Sequence, residues 1–135
     1  MPHALTARDL SRMKKAHPDL QKVIKRAAEI TTIPFVVLQA DRTIEQQREN
    51  VRKGVSWTMK SRHLIGKDGM VYAVDIAPLG PDGKASWSWP LYHKLAPIVK
   101  RAAKDVKIAV EWGGDWAKNK DGPHWQLGWK EYPGK

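Results

Sequence analysis

No cysteine occurs among the 135 residues of this chain. Disulfides, thiolate nucleophiles and every zinc or iron–sulfur site built on cysteine are therefore excluded. A metal site would have to be assembled from His, Asp and Glu, and only five histidines are available: His3, His17, His63, His93 and His124. Long apolar runs are missing as well. None approaches the roughly 18–20 residues that cross a bilayer, and the opening stretch MPHALTARDLSRMKK lacks the apolar centre of a secretory signal. Synthesis in the cytoplasm, with any export supplied by another protein, is the expectation. Acidic residues are few: 14 Asp and Glu stand against 24 Lys and Arg, a net charge of +10. Such a balance favours nucleic acid, anionic lipid headgroups or an anionic cell wall, without choosing among them.

What is present reads as one domain, 1–135, with no repeat, low-complexity tract or linker-like break in composition. Residues 6–30 carry helical spacing, with Leu10 and Met13 and then Leu20, Val23, Ile24 and Ala27 on one face, and Pro18 suited to a first helical turn. IPFVVLQA (33–40) is the first strand candidate, RTIEQQRENVRKG (42–54) returns to helix with Gly54 as its stop, and VYAVDIA (71–77) alternates. That alternation sends Tyr72, Val74 and Ile76 one way and Asp75 the other. Residues 90–106 form a helical stripe in which Pro97 marks a kink or the true start. IAVEW (108–112) and HWQLGW (124–129) are further strands. The class is α+β: a small, mostly antiparallel sheet with helices packed on it. The seven tryptophans suit either the core or platforms that stack sugars or bases.

Chemistry is concentrated where histidines meet acids. His63 precedes a strand, Asp75 lies on it, and His124 opens the last strand after DGP. Two imidazoles and a carboxylate make a first shell for catalytic zinc, with an open position for water. Taken singly, each is more simply a hydrogen-bonded strand residue, and Asp68 in KDG is a rival ligand or a turn former. Asp121, three residues before His124, could serve as a proton acceptor or only shape the KDGP turn; Glu111 and Asp115 are alternative acids. The two glycines before Asp115 allow close backbone approach. Arg42, just after the first strand, fits either a carboxylate clamp and oxyanion stabiliser or a surface arginine.

Four blocks, ADRTIEQQ (40–47), GVSWTMKSRHLIG (54–66), AVDIAP (73–78) and EWGGDWAKNKDGPHWQL (111–127), together resemble the zinc D-Ala-D-Ala metallopeptidase family. The nearest branch is the phage L-alanyl-D-glutamate endopeptidases, which act as endolysins. The resemblance spans most of 33–128, the metallopeptidase core, and leaves the helical segment 1–30 outside. It implies the small α+β fold shared with the hedgehog signalling domain. It also implies Zn2+ held by His63, Asp75 and His124, Asp121 as general base, Arg42 as oxyanion stabiliser and Ser61 as a substrate or supporting contact. Eleven residues, LIGKDGMVYAV, separate His63 from Asp75. This is longer than the family's usual spacing, and a turn around Lys67–Met70 would absorb the surplus.

The implied substrate is the L-Ala–D-Glu bond of peptidoglycan stem peptides. The protein would be a monomer made in the host bacterial cytoplasm, and would reach the wall with a holin-type partner. Its positive surface suits an anionic wall or membrane. Two alternatives remain at this stage: a D-Ala-D-Ala carboxypeptidase of the same family, and a non-enzymatic basic module binding wall or nucleic acid. Against specific nucleic-acid binding, no stretch alternates basic and aromatic residues.

Overall fold

The structure, a computed structural model, describes residues 5–42, 44–53, 63–64, 69–117, 120–128 and 131–132. Two helices open the described chain. α1 (Ala7–Arg12) starts at Thr6, whose hydroxyl accepts from the Asp9 amide while the Asp9 carboxylate accepts from the Thr6 amide. This reciprocal capping satisfies two backbone donors that the first turn leaves without partners. α2 (Pro18–Ile30) has proline in its first turn, as expected, and buries Leu20, Val23, Ile24, Ala27 and Ala28.

β1 (Phe35–Gln39), α3 (Ile44–Arg52) and β2 (Ala73–Pro78) follow, then α4 (Trp89–Val106), β3 (Val110–Trp112) and β4 (His124–Leu127). α4 continues through Pro97, so that residue neither starts nor ends the helix. Pro97 lies on the exposed side, where water can serve the His93 carbonyl that a proline ring cannot pair. α4 stops at Lys107, whose left-handed conformation (φ 60°) closes the last turn. Gly54, the stop expected for α3, lies outside the described residues.

The strands form one antiparallel sheet in the order β1-β2-β4-β3. Phe35, Val37, Val74, Ile76, Trp125, Leu127 and Trp112 belong to the core, joined by Met13, Ala16 and the buried faces of α2 and α4. α2 packs on α4, and α4 on β2 and β3. The N-terminal helices therefore complete the core. One face of the sheet is thus spent on packing, which leaves Asp75 and its neighbours on the other. The fold class read from the sequence holds: a small antiparallel sheet with helices on it. Among the described residues no helix is long and apolar enough to cross a membrane.

Candidate metal centre

Strand register assembles the site. Asp75 on β2 stands opposite His124 on β4, and directly paired residues project from the same face. On the other side of β2 a bulge between Val37 and Gln39 sets Gln39, not Leu38, against Asp75. The extra residue turns the Gln39 side chain to the site face, a usual service of bulges beside functional centres. His63 arrives from outside the sheet. Its carbonyl accepts from the Arg42 amide at 2.8 Å, and Arg42 and Leu64 form a parallel bridge.

The three ligand candidates converge. His63 Nε2 lies 3.1 Å from Asp75 Oδ1 and 3.2 Å from His124 Nδ1, and His124 Nδ1 lies 3.5 Å from Asp75 Oδ1. The outer nitrogens fix the tautomers. His63 Nδ1 lies 2.7 Å from the Ala40 carbonyl oxygen, and His124 Nε2 lies 2.7 Å from Gln126 Oε1. Both oxygens can only accept, so both outer nitrogens carry the hydrogen and donate. The inner nitrogens then present lone pairs to each other and to a carboxylate. Such a cluster of acceptors is repulsive unless a cation or a proton sits among them. A tetrahedral ion with bonds of about 2.0–2.1 Å holds its ligand atoms roughly 3.3 Å apart. The observed spacing fits a divalent metal ion of that kind. Of the described residues, this is the group able to hold one.

Without an ion the charges distribute accordingly. Burial opposes ionisation of Asp75, but the two imidazoles override it and hold this carboxyl far below the usual carboxylate range. Burial likewise opposes charging of His124, yet its contacts with Asp75 and Gln126 push its pKa up. His63 and His124 are both buried, and Asp75 is half-buried.

Asp121 stands at the rim. Gly113 makes this possible: its carbonyl accepts from the Asp121 amide at 3.1 Å, and a Cβ there would fall 2.3 Å from the Asp121 carbonyl oxygen. The close backbone approach expected of the paired glycines is therefore made, by Gly113 against Asp121. Among the described residues no donor binds the Asp121 carboxylate, and burial and then the Asp75 charge raise its pKa. Gly122 is clasped between two rings. Its carbonyl accepts from Trp112 Nε1 at 2.8 Å, and a Cβ on it would meet Tyr92 at 2.5 Å. Tyr92 in turn is pushed up to about 12 by burial and by the charges of Asp121 and Asp75.

Of the alternative acids, Asp115 pairs with Lys100 at 2.7 Å on the surface, and Glu111 on β3 stands beside Gln126, with β4 between it and the strand of Asp75. Arg42 is no free surface arginine. Its guanidinium donates to Gln39 Oε1 at 3.2 Å and lies 3.9 Å from Asp75 Oδ2. The structure thus brings together His63, Asp75, His124, Asp121 and Arg42. Ser61 and Asp68 lie outside the described residues. Sequence reasoning missed Gln39, Ala40, Gln126 and Trp116, whose ring sits 5.0 Å from that of His124. For Gln126 a signal existed: two residues beyond His124 on a strand is the same face.

Comparisons with known proteins place nearly the whole chain in a family. The family described as phage L-alanyl-D-glutamate peptidase matches residues 1–127. The L-alanyl-D-glutamate peptidase of Escherichia phage T5 is 32% identical over 108 residues, covering 77% of this chain and 74% of that protein. The L-alanyl-D-glutamate peptidase of Listeria phage A118 is 36% identical over 105 residues, covering 78% of this chain but 34% of that longer protein. The crystal structure of Serratia marcescens L-Ala D-Glu endopeptidase ChiX superposes with a TM-score of 0.84 at 43% identity, covering 96% of this chain and 92% of that one. With nearly the whole length matched in sequence and in fold, the chain belongs to the phage L-alanyl-D-glutamate peptidase family.

Proposed function

We propose that this protein is a zinc-dependent peptidase that hydrolyses the L-Ala–D-Glu bond of peptidoglycan stem peptides. The observation that carries the reading is the His63–Asp75–His124 cluster, whose inner lone pairs face one another while both outer nitrogens are tied to acceptors. The relatives' names supply the bond, and the buried His2Asp donor set favours zinc over harder cations that prefer all-oxygen ligands. Zinc held there would supply Lewis-acid chemistry, acidifying a water and polarising the scissile carbonyl.

The chain's own groups do the rest. Asp121 takes the proton of the attacking water and returns it to the leaving amine. Among the described residues no donor claims its half-buried carboxylate, and its raised pKa suits a base that must also give the proton back. Arg42, steadied by Gln39, offers N–H donors to the oxygen that gains negative charge. Residues 33–128 form the catalytic core, and Ser61 contributes a substrate or supporting contact. The exposed Lys22, Lys25, Lys94, Arg101 and Lys104 give α2 and α4 a basic surface suited to an anionic wall or membrane. The protein acts as a monomer and reaches the wall from the host cytoplasm with a holin-type partner.

Zinc content and lysis of purified walls test the reading together. His124→Ala should lose both, whereas Asp121→Ala should keep zinc and lose about 10²–10⁴ in turnover. Wall lysis unchanged by His124→Ala or by chelation would overturn it. Mass spectrometry of the digest identifies the bond: a stem peptide freed from its lactyl-alanine end is expected. Release of free D-Ala would instead assign the carboxypeptidase reaction.

A further inference from the structure

We propose that Trp87 and Trp89 form a platform that stacks against the amino sugar to which the stem peptide is attached. This rests on the peptidase reading above and extends it from the peptide to the glycan. Trp87 is 63% and Trp89 39% exposed, and the other large exposed apolar residue among those described, Leu10, lies on α1. Two indoles left in water within three residues need a reason. The flanking Pro81–Lys84 stretch is exposed and includes Asp82 and Lys84. It does not extend the pair into the contiguous patch of hundreds of Å² that a protein partner would bury.

Hydrogen bonding places the pair at the site's end of the sheet. The Ile76 amide donates to the Pro123 carbonyl at 2.9 Å, which sets the turn carrying Asp121 beside β2. Two residues further along β2, the Pro78 carbonyl accepts from the Ser86 amide at 2.8 Å, with Leu79 bridged to Ala85. The Trp87–Trp89 segment starts there. Its rings pack on the core at this end of the sheet: Trp89 lies 5.4 Å from Tyr92 and 6.4 Å from Trp112. Those are the two rings that clasp Gly122, the residue after Asp121.

The substrate's chemistry supplies the occupant. In a stem peptide the L-Ala amine is acylated by the lactyl ether of an amino sugar. One residue and one lactyl group, roughly 7 Å of chain, therefore separate the sugar ring from the cleaved bond. From Asp75 to Pro78 the strand advances about 10 Å. The two lengths are comparable, so on this proposal the sugar of a peptide cleaved at the metal centre meets the aromatic pair beyond Pro78. A pyranose has an apolar C–H face that lies flat on an indole while its hydroxyls stay hydrogen-bonded at the edge. Ser88, which heads α4 without spending its hydroxyl on a cap bond, is placed to serve them.

The test compares two substrates with the zinc-loaded enzyme: a disaccharide-linked stem peptide, and the same peptide acetylated at L-Ala with no sugar. Trp87→Ala should lower kcat/KM on the sugar-linked substrate about tenfold, the loss of one stacked ring. The loss should appear in KM, with cleavage of the sugar-free peptide kept. The Trp87→Ala/Trp89→Ala double variant should lose more on the first substrate only. Equal losses on both substrates, or none on either, would overturn the platform. If the native enzyme cleaves neither substrate, the peptidase reading fails, and titration with an N-acetylated disaccharide decides the platform alone. Saturable quenching of tryptophan fluorescence that Trp87→Ala removes supports it, and no response from the native protein overturns it.

Discussion

The two imidazoles face the centre through different nitrogens, His63 through Nε2 and His124 through Nδ1. The partner of the outer nitrogen decides which. For His124 that partner is Gln126, buried and on the same strand face. Gln126→Leu should leave the fold intact but weaken binding of the proposed zinc about 10–100-fold, measured by competition with a chelator. Asp121 shows the other residue-scale tension, between stability and activity. Its pKa is raised in the folded protein, so its stabilising contribution is present below the unfolded value and is lost as pH rises through the folded one. At neutral pH its charge therefore works against the metal-free fold. Asp121→Asn should raise the melting temperature of metal-free protein at pH 7, with the gain vanishing in acid, while turnover falls. The three residues able to hold a metal were legible as a group, because SRH, AVD and PHW carry two histidines and an aspartate at strand junctions. The Ala40 carbonyl was not, since a backbone acceptor leaves no mark on residue type.

Elements meet the site through their edges. β1 is an outer strand, and an unpaired strand edge invites association with other chains. Here α1 closes it: the Asp9 Oδ1 accepts from the Val37 amide and Arg12 donates to the Val37 carbonyl, both at 2.9 Å. Two side chains on one helical turn thus pair a strand residue as a neighbouring strand would. Asp9→Ala should cost about 2–4 kcal/mol, combining a buried amide left unsatisfied with a lost capping box. Urea unfolding measures it, and Asp9→Asn, which keeps an acceptor, should cost less. Strand positions and the helix periods were readable in the chain, because one buried face imposes alternation on β2 and a stripe on α2 and α4. The bulge that aims Gln39 was not, because FVVLQ alternates no differently with or without it. Nor was the continuation of α4 through Pro97, which depends on that position facing solvent.

Across the whole molecule the two ends of the chain are tied together beside the start of β2. The Tyr132 hydroxyl donates to Asp19 Oδ2 at 2.7 Å across a separation of 113 residues. The rings of His17, Tyr72 and Tyr132 meet edge-on at 5.3–6.3 Å. The backbone of Lys15–His17 bonds Val71 on both sides. This cluster braces α2 against the strand that carries Asp75, so rigidity at the metal centre depends in part on contacts made far away in sequence. Burial and the Asp19 bond push Tyr132 up to about 12. A raised folded pKa means stability that is fully present below the unfolded tyrosine value of about 10 and is lost as pH climbs through about 12. The native protein should therefore lose stability between these limits. Tyr132→Phe should start lower at neutral pH by about 1–3 kcal/mol, the worth of a hydrogen bond to a carboxylate. It should also decline less steeply across that alkaline window, with Tyr92 supplying part of the slope that remains. Chemical denaturation at a series of pH values measures both effects, and parallel curves for the two proteins would show that the end-to-end bond does not couple folding to this proton.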